Sequence, residues 1–332
     1  MVVYLGIVGF GWVARDYMLP AILARDDVSL QAVVSIRKED FAGLPPRIST
    51  HTSVGEMLVA HPELNAVYVA SPNHLHRDHA VECLEAGLDV LCEKPLARTS
   101  AEAESMVATA HQYGSKLVTA YDQRYHPAHV LMQRWVAEGL IGTLTQARID
   151  YACWLPAGWS ADNWRVDPAR AGGGAIIDLA PHGLDLLETL TGQTVAELHC
   201  FDQRAVHNYP VDDGGLLSAR LSSGSLATLT VGYNRPETLP RRRLELTGTG
   251  GMLLAENTMG QLAGGQLCYI DAADGSVLEM EFDRFTGPFH GLLDRFLMTV
   301  RDECPEGRDA ANDLRLVGLL ERATQNKSQS WP

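Results

Sequence analysis

The chain of 332 residues carries a formal net charge of −14, with 46% hydrophobic and 20% charged side chains. This length suits two domains with sizeable hydrophobic cores, and the composition is ordinary for a soluble globular protein. The negative charge argues against nucleic acid and anionic membranes as partners, because both attract basic surfaces.

Six cysteines lie far apart in the sequence, without a C-x-x-C pair. This spacing favours free thiols in a reducing compartment over a disulfide framework or a zinc site. Met1 leads directly into an apolar strand with no basic leader, and no apolar run approaches the ~20 residues that a membrane span requires. The sequence therefore predicts a cytoplasmic protein without a signal peptide or a membrane helix.

The first motif is a glycine turn between a strand and a helix. An apolar run at 2–8 has the length of a buried strand, and a helical pattern follows in 17–23. In the intervening G-x-G-x-x-A, Gly9 permits a tight turn, Gly11 admits a pyrophosphate and Ala14 allows close helix packing, while helix N–H groups hold the phosphate charge. A plain turn without a cofactor is the alternative, because the motif alone is weak evidence. The predicted cofactor contacts are Gly9, Phe10, Gly11, Trp12 and Val13.

The second strand, at 29–36, bears on the choice of cofactor. NAD-preferring folds usually carry an acidic residue at its end, where this chain has Ser35 followed by Arg37 and Lys38. A small hydroxyl with basic neighbours suits a 2′-phosphate, which predicts NADP(H) as the preferred cofactor and leaves NAD(H) possible. The alternative is a solvated basic turn whose charge is diluted by nearby carboxylates, namely Asp26, Asp27, Glu39 and Asp40.

Three further strands, at 65–70, 88–92 and 116–121, alternate with helical patterns, which predicts a parallel sheet. Each strand ends in a polar or proline-containing segment, and ligands of such sheets bind outside the carboxyl ends of the strands. We therefore expect one shared cleft. The candidate cofactor contacts from these segments are Ser71, Pro72, Asn73, His76, Glu93, Lys94 and Gln123.

A histidine cluster follows the strand at 65–70 and comprises His74, His76 and His79. No cysteine or carboxylate completes a ligand set at a persuasive spacing, so the sequence predicts no metal site, and His76 is expected near a helix start.

In the second half of the chain, strand patterns no longer alternate with helical patterns. Beyond a helical pattern at 127–138, strand patterns mostly follow one another with short Gly, Asn or Asp turns, which predicts an antiparallel sheet. The sequence therefore predicts two domains, 1–122 for the cofactor and 123–332 for the substrate and for oligomerisation. Alternating polarity indicates one buried sheet face, and the other face is expected to be solvated or to form a dimer contact.

A glycine-rich segment at 171–175 interrupts these strands and joins an apolar helical pattern. Asp178 and His182 are four residues apart, so a helix places them on one face. Pro181 is expected either to kink this helix or to begin it, and Asp185 could orient the imidazole. The alternative is that Asp178 caps the helix and His182 is a packed core histidine.

The preceding loop holds Trp154, Trp159 and Trp164. These rings could form a lid or a sugar-stacking wall, and core anchoring is equally plausible for each. Arg124 and Arg165 could bind a carboxylate or phosphate or be structural. The candidate substrate contacts are Lys94, Arg124, Trp164, Arg165, Asp178 and His182.

These motifs together resemble the Gfo/Idh/MocA oxidoreductases, the relatives of glucose–fructose oxidoreductase and inositol dehydrogenase. The matching segments are GFGWVA, SPNHLH, CEKP, YDQRYHP and AGGGAIIDLAPHGLD, in order and spacing over nearly the whole chain. The resemblance implies an α/β fold, with an N-terminal Rossmann domain and a C-terminal α/β domain holding an open, mostly antiparallel sheet. It also implies that Lys94 is the active-site lysine, Asp178 the substrate-binding aspartate and His182 the acid–base histidine, often with a cis peptide before Pro95. Ala180 stands where the family usually has glycine.

The predicted function is NAD(P)-dependent hydride transfer to or from a hydroxyl or carbonyl group of a sugar-, polyol- or inositol-like substrate. Lys94 and His182 would perform the proton side of the reaction, in roles that could be exchanged. The alternatives are a non-catalytic cofactor-binding regulator and an NAD-dependent glycosidase on the same fold. The family resemblance and the second sheet also predict a homodimer or homotetramer.

Overall fold

The computed structural model describes residues 1–155, 163–304 and 310–325, so Trp159 of the predicted lid lies outside the described residues. The chain divides into two compact units. The first comprises Met1–Tyr121 and Phe289–Val317, and the second comprises Asp122–Pro288 and Gly318–Pro332.

The first unit is built on a parallel sheet. Its strands are β1 (Val3–Val8), β2 (Val28–Val34), β3 (Ser49–His51), β4 (Ala66–Val69), β5 (Asp89–Glu93) and β6 (Leu117–Ala120). They lie in the order β3-β2-β1-β4-β5-β6, which is the order of dinucleotide-binding folds. All four residues of β4 are buried, as expected for a strand that helices cover on both faces. The predicted Rossmann fold is confirmed.

Helices connect these strands, as the sequence predicts for α1, α3 and α4, whereas β3 and α2 were not predicted. Their bounds are α1 (Leu19–Leu23), α2 (Val54–Ala60), α3 (His76–Glu85) and α4 (Ser100–Tyr113). A wider π-turn at Ala14–Met18 directly precedes α1. It lies just before Pro20, whose ring would clash with the carbonyl four residues earlier in a regular α-helix. The proline therefore explains the widened turn.

One helix departs from the predicted division at 123–332. Helix α8 (Pro288–Val300) lies, from Phe289 onward, in the first unit. Its buried apolar side chains include Phe296, and the backbone carbonyl of Thr299 accepts a hydrogen bond of 2.6 Å from Nζ of Lys116. An apolar helix face can be buried against either unit, and its sequence pattern does not say which. The last described helix, α9 (Ala310–Gln325), crosses the boundary after Val317.

The second unit holds the other sheet. Its strands are β7 (Leu144–Ala152), β8 (Val195–Gln203), β9 (Gly214–Leu221), β10 (Leu226–Gly232), β11 (Arg242–Gly248), β12 (Gly251–Glu256), β13 (Gln266–Asp271) and β14 (Val277–Glu279). They lie in the order β14-β13-β12-β11-β7-β10-β9-β8 and pair antiparallel except for β7 with β10. The predicted mostly antiparallel sheet is confirmed.

One face of this sheet is covered by a long helix. The helices of the unit are α5 (Pro127–Ala137), α6 (Pro168–Ala171) and α7 (Ala175–Thr191). A Cβ added to Gly183 of α7 would lie 2.7 Å from Leu229 of β10 and 3.6 Å from Ile149 of β7. The glycine therefore allows the helix to lie close against the two parallel strands. Pro181 lies inside α7, which settles the open question about this proline.

Three histidines that expose at most 1% of their surface have lowered pKa values. His76, His126 and His129 expose 1%, 0% and 0% of their surface. Burial lowers their pKa to about 4 for His76 and His126 and to about 3 for His129. A histidine in the unfolded chain has a pKa of ~6.5. At pH values between this pKa and the lower pKa of the folded state, the unfolded chain therefore binds protons that the folded chain does not bind. Folding stability therefore falls as pH drops below ~6.5.

We predict that the free energy of unfolding, measured by urea titration, decreases between pH 7 and pH 5 by roughly 2 kcal/mol for each of the three histidines. His76→Gln should reduce this pH dependence, because an amide does not titrate. His290→Gln, at an exposed position, is the matched control and should leave it unchanged. Equal pH dependence in wild type and His76→Gln would contradict the prediction.

Candidate active site

The glycine turn lies where the strand order of the first sheet reverses, between β1 and β4. Gly9 has a φ of +89°, and a Cβ added there would collide with the backbone of Ala70 and Ser71. A Cβ added to Gly11 would meet no described atom within 4 Å. Gly9 is therefore required by the fold, whereas Gly11 leaves backbone open at the position where dinucleotide-binding turns meet a pyrophosphate.

The end of β2 is already occupied by an internal charge pair. Ser35 donates a 2.5 Å hydrogen bond to Oδ2 of Asp40, and Nη2 of Arg37 lies 2.8 Å from Oδ1 of the same carboxylate. The Arg37 side chain is 60% exposed and that of Asp40 only 10%. The two groups predicted to receive a 2′-phosphate are thus both held by the carboxylate of Asp40, which the sequence predicted only to dilute the basic charge of the turn.

His76 joins the segments that follow β4 and β5. Its Nδ1 lies 2.9 Å from the carbonyl oxygen of Pro95, and its Nε2 lies 2.9 Å from that of Ser71. A neutral imidazole carries one N–H, so His76 donates to one of these carbonyls while its other nitrogen lies beside the second. The ring therefore lies between the two segments, with both nitrogens facing protein atoms. The Lys94–Pro95 peptide bond is cis, as the family resemblance implies.

Lys94 follows Glu93, whose carboxylate accepts a hydrogen bond at each oxygen. Oε1 of Glu93 accepts a 2.5 Å hydrogen bond from the hydroxyl of Tyr68, and Oε2 accepts one of 3.2 Å from the backbone N–H of Lys94. Glu93 therefore fixes the backbone that carries the lysine. Ser71 and Asn73 are also buried at this edge of the sheet.

The histidine cluster shows no metal geometry. Nδ1 of His79 lies 3.0 Å from the hydroxyl of Ser71. Across the part of the chain that the structure describes, no group of three or more His, Cys, Asp or Glu side chains is placed to hold a metal ion.

The glycine-rich segment before α7 is explained by a buried carboxylate. Asp212 accepts hydrogen bonds from the backbone N–H groups of Gly174 (2.9 Å) and Ile176 (2.8 Å). A Cβ on Gly174 would collide with the carbonyl oxygen of Asp212. The amino end of α7 is therefore closed by protein, and its glycines serve this close approach.

Helix α7 places Asp178 and His182 one turn apart, as predicted. Oδ2 of Asp178 accepts a 2.8 Å hydrogen bond from the hydroxyl of Tyr233. His182 is 2% exposed, and its ring meets the ring of Tyr151 edge-on at 5.7 Å between centroids. Nδ1 of His182 lies 3.3 Å from Oδ1 of Asp122. The helix thus aligns a carboxylate and an imidazole, each with a partner from another element.

Burial raises the pKa of the Tyr151 and Tyr233 hydroxyls well above its usual range, and the charge of Asp178 adds to the effect at both. Both phenols therefore stay protonated at neutral pH, so each hydroxyl keeps its hydrogen-bond proton.

Two residues predicted to contact ligands are used inside the second unit. Arg124 forms a bidentate ion pair with Asp185, which is fully buried. Gln123 is also fully buried, donates to the carbonyl of Gly260 (3.0 Å) and accepts from its N–H (2.9 Å). The charge of Arg124 is thus already balanced, and the amide of Gln123 fixes two chain segments together.

Cζ of Arg165 lies 4.4 Å from the centroid of the Trp164 ring. These two predicted substrate contacts therefore form a cation–π pair with each other. Trp154 lies elsewhere in the unit, against His207 at 5.2 Å between ring centroids.

No sequence motif predicts the structural roles of four residues that hold these side chains, namely Asp40, Tyr151, Asp212 and Tyr233. Tyr151 and Tyr233 lie at the carboxyl ends of the parallel pair β7 and β10, and only the strand register brings them towards α7. The two aspartates act through long-range or turn contacts that carry no sequence motif.

Comparison with known proteins places this chain among oxidoreductases. Residues 3–121 match the oxidoreductase family with an NAD-binding Rossmann fold, and residues 129–254 match the GFO/IDH/MocA C-terminal domain. Similar curated proteins include a 1,5-anhydro-D-fructose reductase of Ensifer adhaerens, 31% identical over 87% of both chains. A D-xylose 1-dehydrogenase (NADP(+)) of Haloferax volcanii is 29% identical over 81% of this chain and 78% of its own.

The fold is also that of solved structures. The aldose-aldose oxidoreductase of Caulobacter crescentus, crystallised with glycerol, superposes with a TM-score of 0.85 over 98% of both chains at 23% identity.

We predict different outcomes for the two glycines of the turn. Gly9→Ala should lower the free energy of unfolding by roughly 1–3 kcal/mol or more, because it combines a left-handed backbone with a backbone collision. Gly11→Ala should leave stability within about 1 kcal/mol but weaken NADPH and NADH binding, because the methyl group occupies the open approach. Urea denaturation and fluorescence titration measure the two effects. Unchanged dinucleotide affinity in Gly11→Ala would contradict the assignment of this turn.

Proposed function

Because the chain belongs to the Gfo/Idh/MocA family of oxidoreductases, we propose that it transfers hydride between a nicotinamide cofactor and a CH–OH or carbonyl group of a sugar-like substrate. The observation that carries the proposal is the single turn of α7 that aligns Asp178 with the buried imidazole of His182. The sugar-directed activities named for the relatives support this substrate class.

The nicotinamide, when bound, supplies the hydride chemistry, and the protein supplies position and proton transfer. An imidazole ordinarily titrates at ~6.5, close to the pH at which a general acid–base is most effective, so we assign the proton transfer to His182. Lys94 donates hydrogen bonds to the substrate oxygen as negative charge develops there. Asp178, already held by Tyr233, accepts a neighbouring hydroxyl and orients the ring.

We predict that Lys94→Met and His182→Ala bind cofactor normally and lose turnover by about 10²–10⁴-fold, the usual cost of removing a positioned acid–base group. Steady-state kinetics with an aldose panel and fluorescence titration of the cofactor separate the two effects. Glu188 is a buried carboxylate about two turns beyond His182 on α7. The variant Glu188→Gln therefore serves as a control and should keep turnover.

The rival functions give other results in the same assays. Near-wild-type turnover in both variants would refute the assigned roles. Cofactor binding without turnover of any sugar would favour a regulator. Cleavage of glycosides without net reduction of free cofactor would favour an NAD-dependent glycosidase.

For the cofactor we propose NADP(H) over NAD(H). Ser35 and the largely exposed Arg37 support this choice, because a guanidinium fork matches a phosphate. Asp40 opposes it, because its carboxylate competes for both groups. Binding of a 2′-phosphate would therefore require Arg37 to leave Asp40.

We predict that Arg37→Ala weakens NADPH binding by roughly 10-fold or more, as expected for loss of a charged hydrogen bond, while NADH affinity changes little. Asp40→Asn should strengthen NADPH binding selectively, because it removes the competing charge. Fluorescence titration of both dinucleotides against all three proteins tests this. Tighter binding of NADH than NADPH by the wild type would refute the preference.

We further propose a homodimer or homotetramer formed through the outer face of the second sheet. Phe201 and Leu216 are neighbours across β8 and β9 on that face and are 61% and 45% exposed. Adjacent exposed apolar side chains on a sheet face favour burial against another surface.

We predict that light scattering at micromolar concentration gives at least a dimer mass, and that Phe201→Glu combined with Leu216→Glu reduces it to the monomer mass. Val59→Glu, at an 86% exposed position on α2, is the control. A monomeric wild type would refute the assembly.

A cytoplasmic location is proposed because the six cysteines lie far apart in the sequence without a C-x-x-C pair, which favours a reducing compartment. Among the described residues, no helix is long and apolar enough to cross a membrane.

A further inference from the structure

Asp122 is a buried carboxylate that touches the imidazole of His182 from outside α7. It begins the short helical turn Asp122–Tyr125, and its side chain is 3% exposed. Its Oδ1 lies 3.3 Å from Nδ1 of His182, whose own side chain is 2% exposed. At this distance and burial the pair is little screened by solvent.

The carboxylate is held from its other oxygen. Oδ2 of Asp122 accepts a 3.0 Å hydrogen bond from Nε2 of Gln123. The same amide is bound on both sides to the backbone of Gly260. Rotation of the Asp122 side chain would break this bond, which keeps Oδ1 beside Nδ1 of His182 at 3.3 Å.

The two aspartates of α7 itself, Asp178 and Asp185, each contact another side chain. Asp185 receives the guanidinium of Arg124 in a bidentate ion pair, and Asp178 receives the hydroxyl of Tyr233. The ring of Tyr151 also lies against the imidazole, and it lies 5.9 Å from the guanidinium of Arg242. The titratable and charged groups shown around His182 within the described residues are Asp122, Arg124, Tyr151, Asp178, Asp185, Tyr233 and Arg242.

A neutral imidazole carries one N–H, and an ionised carboxylate can only accept. A carboxylate at Nδ1 therefore places the proton on Nδ1 and leaves the lone pair on Nε2. When Nε2 takes a proton from a substrate hydroxyl, the resulting positive charge is balanced by the carboxylate. In the reverse direction the same pair returns the proton to the oxygen.

We propose that Asp122 is a positioning residue for the acid–base reaction, fixing the tautomer and strengthening the basicity of His182, so that Asp122 and His182 act as a dyad. The proposal rests on the proposed function for its role in turnover, and on geometry alone for its effect on the imidazole.

The first test is spectroscopic and needs no substrate. In ¹⁵N-histidine-labelled protein, with the His182 signals assigned by comparison with His182→Gln, the neutral imidazole should show the Nδ1–H tautomer. In Asp122→Asn, whose amide oxygen can still accept from Gln123, the titration midpoint of His182 should shift to lower pH by roughly one unit, since an opposite charge at this distance is lost. A neutral Nε2–H tautomer in wild type, or identical midpoints in both proteins, would overturn the proposal.

The second test uses turnover. Asp122→Asn should bind NADPH and NADH as the wild type does, lower kcat by roughly 10- to 100-fold and move the acidic limb of the pH profile in the same direction as the titration. Glu188→Gln removes another buried carboxylate of the unit and should leave both the profile and the tautomer unchanged. A loss of kcat without a shift of the acidic limb would assign Asp122 a merely structural role. If no sugar is turned over by the wild type, the proposed function fails while the spectroscopic result still decides the dyad.

Discussion

The closed amino end of α7 is the constraint on which the geometry of the second unit depends. The carboxylate of Asp212 accepts two backbone N–H groups at the first turn, and Gly174 allows that approach. Because each helical residue adds a fixed rotation, a fixed start also fixes where Asp178 and His182 point one and two turns later. Gly183 then lets the helix lie against β7 and β10, so the direction of the imidazole is set by backbone contacts at both ends.

Charge is handled in this unit by pairing. Buried carboxylates and cations are costly unless a partner and hydrogen bonds satisfy them, and three aspartates at or beside α7 each face such a partner. Asp185 balances Arg124, Tyr233 holds Asp178, and Asp122 faces His182. Pairing of this kind keeps the side chains in one orientation, which proton transfer requires.

In the first unit, polar side chains likewise contact backbone groups of the loops at the ends of the strands. The ring of His76 lies between the carbonyls of Ser71 and Pro95, and one oxygen of Glu93 accepts a hydrogen bond from the backbone N–H of Lys94. Two segments from different strand ends are thereby held beside each other at the carboxyl edge of the sheet. Their shape does not need a ligand, since all these partners belong to the protein.

The sequence alone determined the class of fold, the bounds of most elements and the identity of the family. These properties rest on local signals: apolar runs of strand length, helical spacing, and glycine and proline at turns, all readable within ten or twenty residues. Asp178 and His182 were recognisable for the same reason, because a four-residue separation on a helix fixes a shared face.

Only the tertiary structure decided which partners those residues have. Asp122 is 60 positions from His182 in the chain, Asp212 reaches Gly174 across 38 positions, and α8 returns to the first unit from far beyond it. Such contacts depend on strand register and on which apolar face a helix buries, and neither leaves a periodic mark in the sequence. The ion pair of Arg37 with Asp40 is local, yet the sequence does not predict it. Side chains three residues apart in a turn can face solvent, a ligand or each other.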